Sequence, residues 1–121
     1  MSKTAIVILS DPRSGSDESF GRAFNALAVA YDYKTAGEEV SILFQGAATR
    51  WPEEMLKPDH ALNALFKAVE DKVVGVSCGC ADAFGANASG FDLVTDNRVP
   101  GTAGLPSFVK LKSDGYEVLT F

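Results

Sequence analysis

The first apolar segment of the chain, TAIVIL at residues 4–9, is rich in β-branched side chains and has almost no polar interruption. A strand buried on both faces has this composition, whereas a strand with one wet face alternates polar and apolar residues. Four later segments also predict strands, although Asp92 lies inside one of them: EEVSILF (38–44), KVVGV (72–76), FDLVT (91–95) and YEVLTF (116–121). The chain is therefore predicted to build a buried sheet.

Segments with helical periodicity separate these strands. Ser16 is a candidate N-cap for a first helix, in which apolar residues recur at helical spacing until Gly37 provides a stop. A second helical region is predicted to begin near Glu53 or after Pro58 and to reach Val69. Two shorter helices are predicted from CADAFGA (80–86), ending near Gly85, and from LPSFVKLKSDG (105–115).

The strands and helices alternate along the whole chain, in the order β-α-β-α-β-α-β-α-β. This order predicts one α/β domain over residues 1–121, a three-layer sandwich of parallel βαβ units with right-handed crossovers. In such sheets, sites lie beyond the carboxyl ends of the strands. Three loops meet this criterion: residues 10–15, 45–51 and 77–80.

Composition excludes several function classes. The net charge is −5, and the 11 Lys and Arg residues are scattered, so we expect no nucleic-acid partner. No apolar stretch approaches the roughly 20 residues needed to cross a bilayer, and we expect no membrane partner. The start MSKTAIVILS is interpreted as a strand and not as a signal peptide. We expect the protein to be cytoplasmic, where thiols are kept reduced.

The segment GVSCGCADAFGA (75–86) holds both cysteines, Cys78 and Cys80, directly after the third predicted strand. A helix that starts at or just after Gly79 would place Cys78 at its N-terminus, where the helix dipole stabilises a thiolate. Sulfur-transfer or redox chemistry would suit this arrangement. The alternative is that the two cysteines are small core residues, because cysteine is among the most buried residue types. Position and spacing leave both interpretations open.

A structural disulfide and a metal site are poorer explanations of the two cysteines. A bond between residues two apart would close a small, strained and easily reduced ring, although a transient catalytic disulfide stays open. Structural zinc needs four Cys or His ligands, and the chain offers only Cys78, Cys80 and His60, so one subunit could not complete a site without carboxylates, although an oligomer could. We therefore expect no metal and no cofactor.

Two loops besides the cysteine loop hold candidate ligand-binding residues. In SDPRSG (10–15), Arg13 is a candidate anion contact, and Asp11 either shares that site or is a turn residue before Pro12. This loop matches no nucleotide-binding motif. Arg50 could clamp an anion and Trp51 could line a pocket, or Trp51 could pack on the surface or at a subunit contact. Gln45 and Gly46 lie in the same loop. His60 is interpreted as an exposed first-turn residue.

The chain resembles the DsrE/DsrF-like family of small α/β sulfur-relay and related proteins over essentially its whole length. The resemblance rests on a set of features: the Ser-Asp-Pro loop after the first strand, the helix segment RAFNALAVAYDYKTAGEEV (22–40), LFQGA (43–47), a third strand that runs into cysteine, and the terminal DGYEVLTF (114–121). Some members have a Cys-Gly-x-Cys run followed by an Arg-Gly pair. Here CGCADAFG has one residue fewer between its cysteines, and Phe84 stands where the Arg would fall.

The resemblance implies a five-stranded, mostly parallel sheet with helices on both faces, assembled into homotrimers or hexamers with the cysteine loop near a subunit contact. It also implies that Cys78 carries a persulfide received from a donor protein and passed to an acceptor protein. Three hypotheses follow for function. The leading one is a sulfur carrier, sulfurtransferase-like in its chemistry, with Cys80 as a resolving or assisting thiol. The others are a non-enzymatic homo-oligomeric module that binds a small ligand or anion near Arg13, Arg50 and Trp51, and a thiol redox sensor.

Overall fold

A computed structural model describes residues 2–121 and contains one sheet of five strands, in the order β4-β3-β2-β1-β5. All neighbouring strands are parallel. The predicted strands are all present: β1 (Lys3–Ile8), β2 (Glu39–Phe44), β3 (Val73–Ser77), β4 (Leu93–Val94) and β5 (Tyr116–Thr120). The predicted α/β class with a five-stranded, mostly parallel sheet is confirmed, and the sheet is in fact entirely parallel.

The fourth strand is shorter than the predicted range 91–95, since only Leu93 and Val94 pair with β3. Gly75 on β3 permits this close approach. A Cβ on Gly75 would lie 2.5 Å from Cγ2 of Val94 and 2.7 Å from the carbonyl oxygen of Asp92. That carbonyl accepts a hydrogen bond from the Val76 N–H at 2.8 Å, so the backbone of Asp92 attaches β4 to the sheet just before the strand begins.

Five helices connect the strands: α1 (Asp17–Thr35), α2 (Trp51–Met55), α3 (Asn63–Val69), α4 (Cys78–Phe84) and α5 (Phe108–Ser113). Short 3₁₀ turns precede or follow them at Pro12–Ser14, Gly46–Arg50 and Glu70–Lys72. Ser16 caps α1 as predicted, because its side chain accepts a hydrogen bond from the Ser19 N–H. Gly85 ends α4 in the left-handed conformation, also as predicted.

The second helical region is divided into α2 and α3 with an irregular turn between them, and α3 follows Pro58 and ends at Val69, as one of the two predicted starts required. Pro58 lacks an N–H donor and disfavours helical backbone in the residue before it, so α2 ends at Met55 and the chain turns. His60 lies in this turn and not in a helical first turn, and it is only partly exposed. Its Nδ1 accepts a hydrogen bond from the Leu62 N–H at 3.0 Å.

The crossovers place the helices in two layers. From β1 to β4 each strand is added on the same side of the previous one, so right-handed crossovers put α1 to α4 on one face. The return from β4 to β5 crosses the opposite face and carries α5, which packs on β5. The main core lies under the first layer, where Ile6, Ile42 and Phe44 meet buried residues of α1, α3 and α4. The three-layer sandwich with helices on both faces is thus confirmed.

The core under the first layer includes a chain of aromatic contacts. Phe66 of α3 meets Phe44 of β2 edge-on, with ring centroids 6.1 Å apart, and meets Phe91 at 5.9 Å.

Lys34 near the end of α1 donates hydrogen bonds to the Ala68 carbonyl and to Asp71, each at 2.7 Å. The hydrogen bond from Lys34 lowers the pKa of the exposed Asp71 carboxyl. No helix within residues 2–121 has both the length and the apolar character needed to cross a membrane.

Candidate functional site at the carboxyl edge of the sheet

The loops that follow β1, β2 and β3 meet at the carboxyl edge of the sheet. The Gln45 N–H, just after β2, donates to the carbonyl of Ile8 at the end of β1 at 2.9 Å. The 3₁₀ turn after β2 packs against α4, which follows β3. The parallel topology therefore brings together the three loops whose sequences were singled out above.

Ser77, the last residue of β3, determines where α4 begins. Its side chain is fully buried and its oxygen accepts a hydrogen bond from the Cys80 N–H at 3.4 Å. This is the N-cap arrangement, so the first helical residue is Cys78 itself. The helix therefore begins one residue before Gly79, where sequence patterning predicted the earliest start.

The two cysteines are free thiols in different surroundings. Cys78 is partly exposed, whereas only 9 % of Cys80 is accessible. Residues two apart on a helix do not face each other, so the side chains leave α4 on different sides. A disulfide between them would therefore require the first turn of α4 to open.

Cys78 opens into a groove of about 470 Å³ on the outer side of α4. One wall is α4 itself, and the others come from the segment after it, from β4 and from the loop before α5. Except for Asp82, the residues that line the groove with Cys78 are small or apolar: Ala81, Gly85, Ala86, Ala88, Leu93 and Ala103. The thiol therefore faces a space large enough for a small molecule or for a short peptide segment.

Gly79 and Gly104 hold the start of α4 against the loop before α5, and sequence reasoning assigned a role to neither. The Gly79 N–H donates to the Gly104 carbonyl at 2.6 Å. A Cβ on Gly79 would lie 3.0 Å from that oxygen and 2.9 Å from Cδ1 of Leu105. The residue between the two cysteines must therefore be small for this backbone contact to form.

Arg50, in the loop after β2, links the loop after β1 to the C-terminal end of α4. Its Nη1 lies 3.3 Å from Oδ1 of Asp11, and its Nε and Nη2 donate to the carbonyl of Phe84 at 3.3 and 3.1 Å. The guanidinium also lies over the Phe84 ring, with Cζ 5.4 Å from the centroid. Only 18 % of the Arg50 side chain is exposed. Since Phe84 is the last residue of α4, Arg50 supplies donors to the C-terminal end of the cysteine helix.

The model of the DsrE/DsrF-like family matches residues 2–121. The chain belongs to the DsrE/DsrF-like family. An uncharacterised protein of Methanocaldococcus jannaschii is 35 % identical to it over 60 residues, which is 50 % of this chain and 49 % of that protein. The match thus spans about half the length of the curated relative. No solved structure matches the sequence significantly.

In this DsrE/DsrF-like protein a cation lies beside Phe84, although the residue itself is not basic. By the family resemblance, Phe84 stands at the position where some members have an arginine before a glycine. The guanidinium that stacks on the Phe84 ring comes from Arg50, in a different loop. Its hydrogen bonds are directed to Asp11 and to the Phe84 carbonyl and not into the Cys78 groove, whose lining does not include Arg50.

Trp51 is part of the hydrophobic core of this family member, and very little of its side chain is accessible to solvent. Only 3 % of it is accessible, and its Nε1–H donates to the carbonyl of Ser10 at 2.8 Å. His60 packs on it edge-on, with ring centroids 6.2 Å apart. The indole lies beneath the loop that follows β1, and its small accessible part lines the same groove as Arg13. The pocket and subunit-contact alternatives for Trp51 stay predictions.

The remaining predicted ligand-binding residues are separated by the fold. Asp11 accepts from the Arg13 N–H at 2.9 Å as well as from Arg50, so it caps the turn Pro12–Ser14. The Arg13 side chain is exposed and lines a different groove, next to His60 and Glu54. The structure therefore does not direct Arg13 and Arg50 at one common space.

Gln45 and Gly46 start the loop after β2. The Gln45 Oε1 is buried and has no hydrogen-bond partner among residues 2–121. Gly46 has a φ of +60°, and its Cβ position lies 3.5 Å from Cδ2 of Leu9. Its carbonyl accepts a hydrogen bond from the Thr49 hydroxyl at 2.9 Å. Both residues shape the turn into Arg50, and neither lines the Cys78 groove.

Within residues 2–121, no three His, Cys, Asp or Glu side chains come together as they would around a metal ion. Cys78 and Cys80 belong to α4, and His60 lies against Trp51 on the connection between α2 and α3. The absence of a metal and of a cofactor stays a prediction from the sequence.

Proposed function

We propose that this protein is a sulfur carrier of the relay type, in which Cys78 holds sulfane sulfur as a persulfide. The observation that carries the proposal is the partly exposed Cys78 thiol in a groove of about 470 Å³ at the carboxyl edge of β3. Membership of the DsrE/DsrF-like family supports it, since that family includes sulfur-relay proteins. The transfer chemistry is sulfurtransferase-like.

The proposed reaction is a pair of balanced displacements. The Cys78 thiolate attacks the terminal sulfur of a donor persulfide, the S–S bond of the donor breaks, and the donor leaves as a thiolate while Cys78 becomes a persulfide. An acceptor thiolate then attacks the terminal sulfur on Cys78 and restores the Cys78 thiolate. Neither step needs an oxidant, a metal or a cofactor.

Cys80 is proposed to assist and not to carry sulfur. Its low exposure keeps a donor molecule from reaching its thiol. Because its side chain lies on a different side of α4 from that of Cys78, loading of sulfur on Cys78 does not require the helix to open. Both free thiols suit the reducing, cytoplasmic location that we propose. A redox sensor has less support, because its disulfide would have to open the first turn of α4. An anion-binding module also has less support, because Arg50 is already bound to Asp11 and to Phe84.

We expect the reduced protein to gain the mass of one sulfur atom when it is incubated with an alkyl persulfide whose alkyl group carries no charge. The Cys80→Ser variant should load equally, and the Cys78→Ser variant should not load, because only Cys78 faces the groove. Intact-mass spectrometry before and after reduction measures the loading. No added sulfur in the wild type, or equal loading of Cys78→Ser, would contradict the proposal. Exclusive loss of loading in Cys80→Ser would do the same.

We also propose that the chain associates with itself through α5, as part of the homotrimer or hexamer expected for the family. Val109 is 77 % exposed and the adjacent Phe108 is 41 % exposed, an apolar pair on a short surface helix. Sedimentation equilibrium should give a multiple of 12.8 kDa for the wild type and for Ser113→Asp, and a smaller mass for Val109→Asp. The control adds the same charge on the same helix without removing apolar surface. A wild-type mass of 12.8 kDa at micromolar concentration would rule out this association.

A further inference from the structure

The Cys78 groove has a charged wall next to the thiol. Asp82 follows Cys78 by four residues on α4, so the two side chains lie on the same side of the helix, and both line the groove. The other residues that line it are uncharged: Ala81, Gly85, Ala86, Ala88, Leu93 and Ala103. The Asp82 carboxylate is therefore the charge that a reactant meets when it approaches the Cys78 sulfur.

The Asp82 carboxylate has no ion-pair or hydrogen-bond partner in the described part of the chain. Among residues 2–121, none of the ion pairs involves Asp82, and no hydrogen bond reaches its side chain. Arg50, the cation attached to the far end of α4, directs its donors to Asp11 and to the Phe84 carbonyl. The overall charge of −5 acts in the same direction as Asp82.

We infer that Asp82 is a specificity-determining residue, which makes Cys78 favour sulfur donors and acceptors that are neutral or cationic beside the reacting sulfur over anionic ones such as thiosulfate. The inference deepens the proposed function and rests on it for the identity of the reaction. A thiolate that attacks an S–S bond spreads negative charge over the reacting sulfur atoms. An anionic reactant adds like charge close to Asp82, whereas a cationic one is attracted.

The size of the effect follows from Coulomb's law in a water-filled groove. Two unit charges about 6 Å apart in water change a rate by about threefold when salt does not screen them. Asp82 is exposed, so the effect must shrink as the ionic strength rises and the Debye length falls below that separation. A dianionic reactant should be slowed by up to about tenfold, and a dicationic one accelerated by a similar factor.

Thiol–disulfide exchange with three small disulfides tests this inference without any need for sulfane sulfur. The probes are dithiobis(nitrobenzoate), which is a dianion, cystamine, which is a dication, and dithiodiethanol, which is uncharged. In each reaction the Cys78 thiolate attacks one sulfur, forms a mixed disulfide and releases the other half as a thiolate. Rate constants at Cys78 are measured by mass spectrometry in wild type, Asp82→Asn and Asp59→Asn. Asp59 is an exposed aspartate outside the groove, so its replacement removes the same charge elsewhere.

At low salt, Asp82→Asn should react several-fold faster with the dianion and several-fold slower with the dication, relative to the uncharged probe. A change in the fraction of Cys78 thiolate alters all three rates equally and cancels in these ratios. Asp59→Asn should leave the ratios at wild-type values, and high salt should remove the difference between the variants. Unchanged ratios in Asp82→Asn, or equal changes in Asp59→Asn, would overturn the inference.

The same set of variants separates this inference from the proposed function. If Cys78 loads sulfur from the alkyl persulfide but the rate ratios do not respond to Asp82, the sulfur carrier stands and the charge selectivity fails. If the ratios respond but Cys78 does not load sulfur, the charge selectivity stands as a property of the thiol and the sulfur carrier fails.

Discussion

Replacement of Gly104 by alanine is expected to lower the free energy of unfolding by about 3 kcal/mol. Gly104 has a φ of +97°, a conformation that side chains disfavour. A Cβ there would lie 2.6 Å from the Thr95 carbonyl oxygen and 2.9 Å from the Thr95 Cα, both of them backbone atoms that cannot rotate away. The loop before α5 would have to move, and with it the carbonyl that accepts from the Gly79 N–H.

Gly101→Ala is the matched control for this prediction. Gly101 lies in the same loop with a φ of +78°, but no atom lies within 4 Å of its Cβ position. Its replacement should cost only the backbone strain, about 1–2 kcal/mol. Urea unfolding followed by circular dichroism compares the two variants. The alkylation rate of Cys78 should change only in Gly104→Ala, because only Gly104 contacts the first turn of α4. Equal stabilities of the two variants would contradict the steric argument.

Replacement of Arg50 by methionine is expected to lower the free energy of unfolding by about 2 kcal/mol. The variant loses the ion pair with Asp11 and both hydrogen bonds to the Phe84 carbonyl. Methionine keeps most of the apolar stem, so the loss reflects the guanidinium. Because these bonds tie the end of α4 to the loop after β1, the cysteine helix should also become more mobile. Relative to the wild type, amide exchange in the variant should increase more in α4 than in α1, which would report this local loosening.

Arg22→Met is the control for Arg50→Met. Arg22 pairs with Glu18 one turn before it on α1, and both side chains are more than half exposed. Such a pair contributes only about 0.3–0.5 kcal/mol. Thermal and urea unfolding should therefore separate the two variants clearly. If Arg22→Met is destabilised as much as Arg50→Met, the contacts of Arg50 with Asp11 and Phe84 contribute no more to the free energy of unfolding than an exposed ion pair does. If a small anion raises the unfolding temperature of the wild type but not that of Arg50→Met, the anion-binding alternative would be favoured instead.

Several features of the fold could be predicted from the sequence because they depend on local pattern. The apolar runs such as TAIVIL predicted buried parallel strands, and Ser16 and Gly85 predicted helix ends that the structure confirms. The sequence left open whether the second helix begins near Glu53 or after Pro58, and the structure has a helix on each side of Pro58, the second of which reaches Val69 as predicted. The fourth strand is shorter than predicted, since Asp92 joins the sheet only through its carbonyl and pairing begins at Leu93.

The candidate site could be predicted only in outline. The sequence located the three loops and both cysteines, since parallel strands end at one edge. It could not tell that Arg50 contacts Asp11 and Phe84, because these partners come from the loop after β1 and from the end of α4, both distant from Arg50 in the sequence. Trp51 follows a strand, a position that suggested a surface or pocket residue. The loop after β1 covers most of it, its indole N–H donates to Ser10, and only a small part reaches the groove beside Arg13.

By itself, then, the sequence determined the alternation of strands and helices, the buried sheet, the family and the place of the cysteines at the end of β3. Periodicity, turn residues and local propensity are sufficient for these, because each is a property of neighbouring residues. Only the tertiary structure decided that Cys78 is open and Cys80 is buried, that Gly79 contacts Gly104, and that Asp82 is the charge beside the thiol. These features arise where distant segments pack against α4, and no local pattern records that packing.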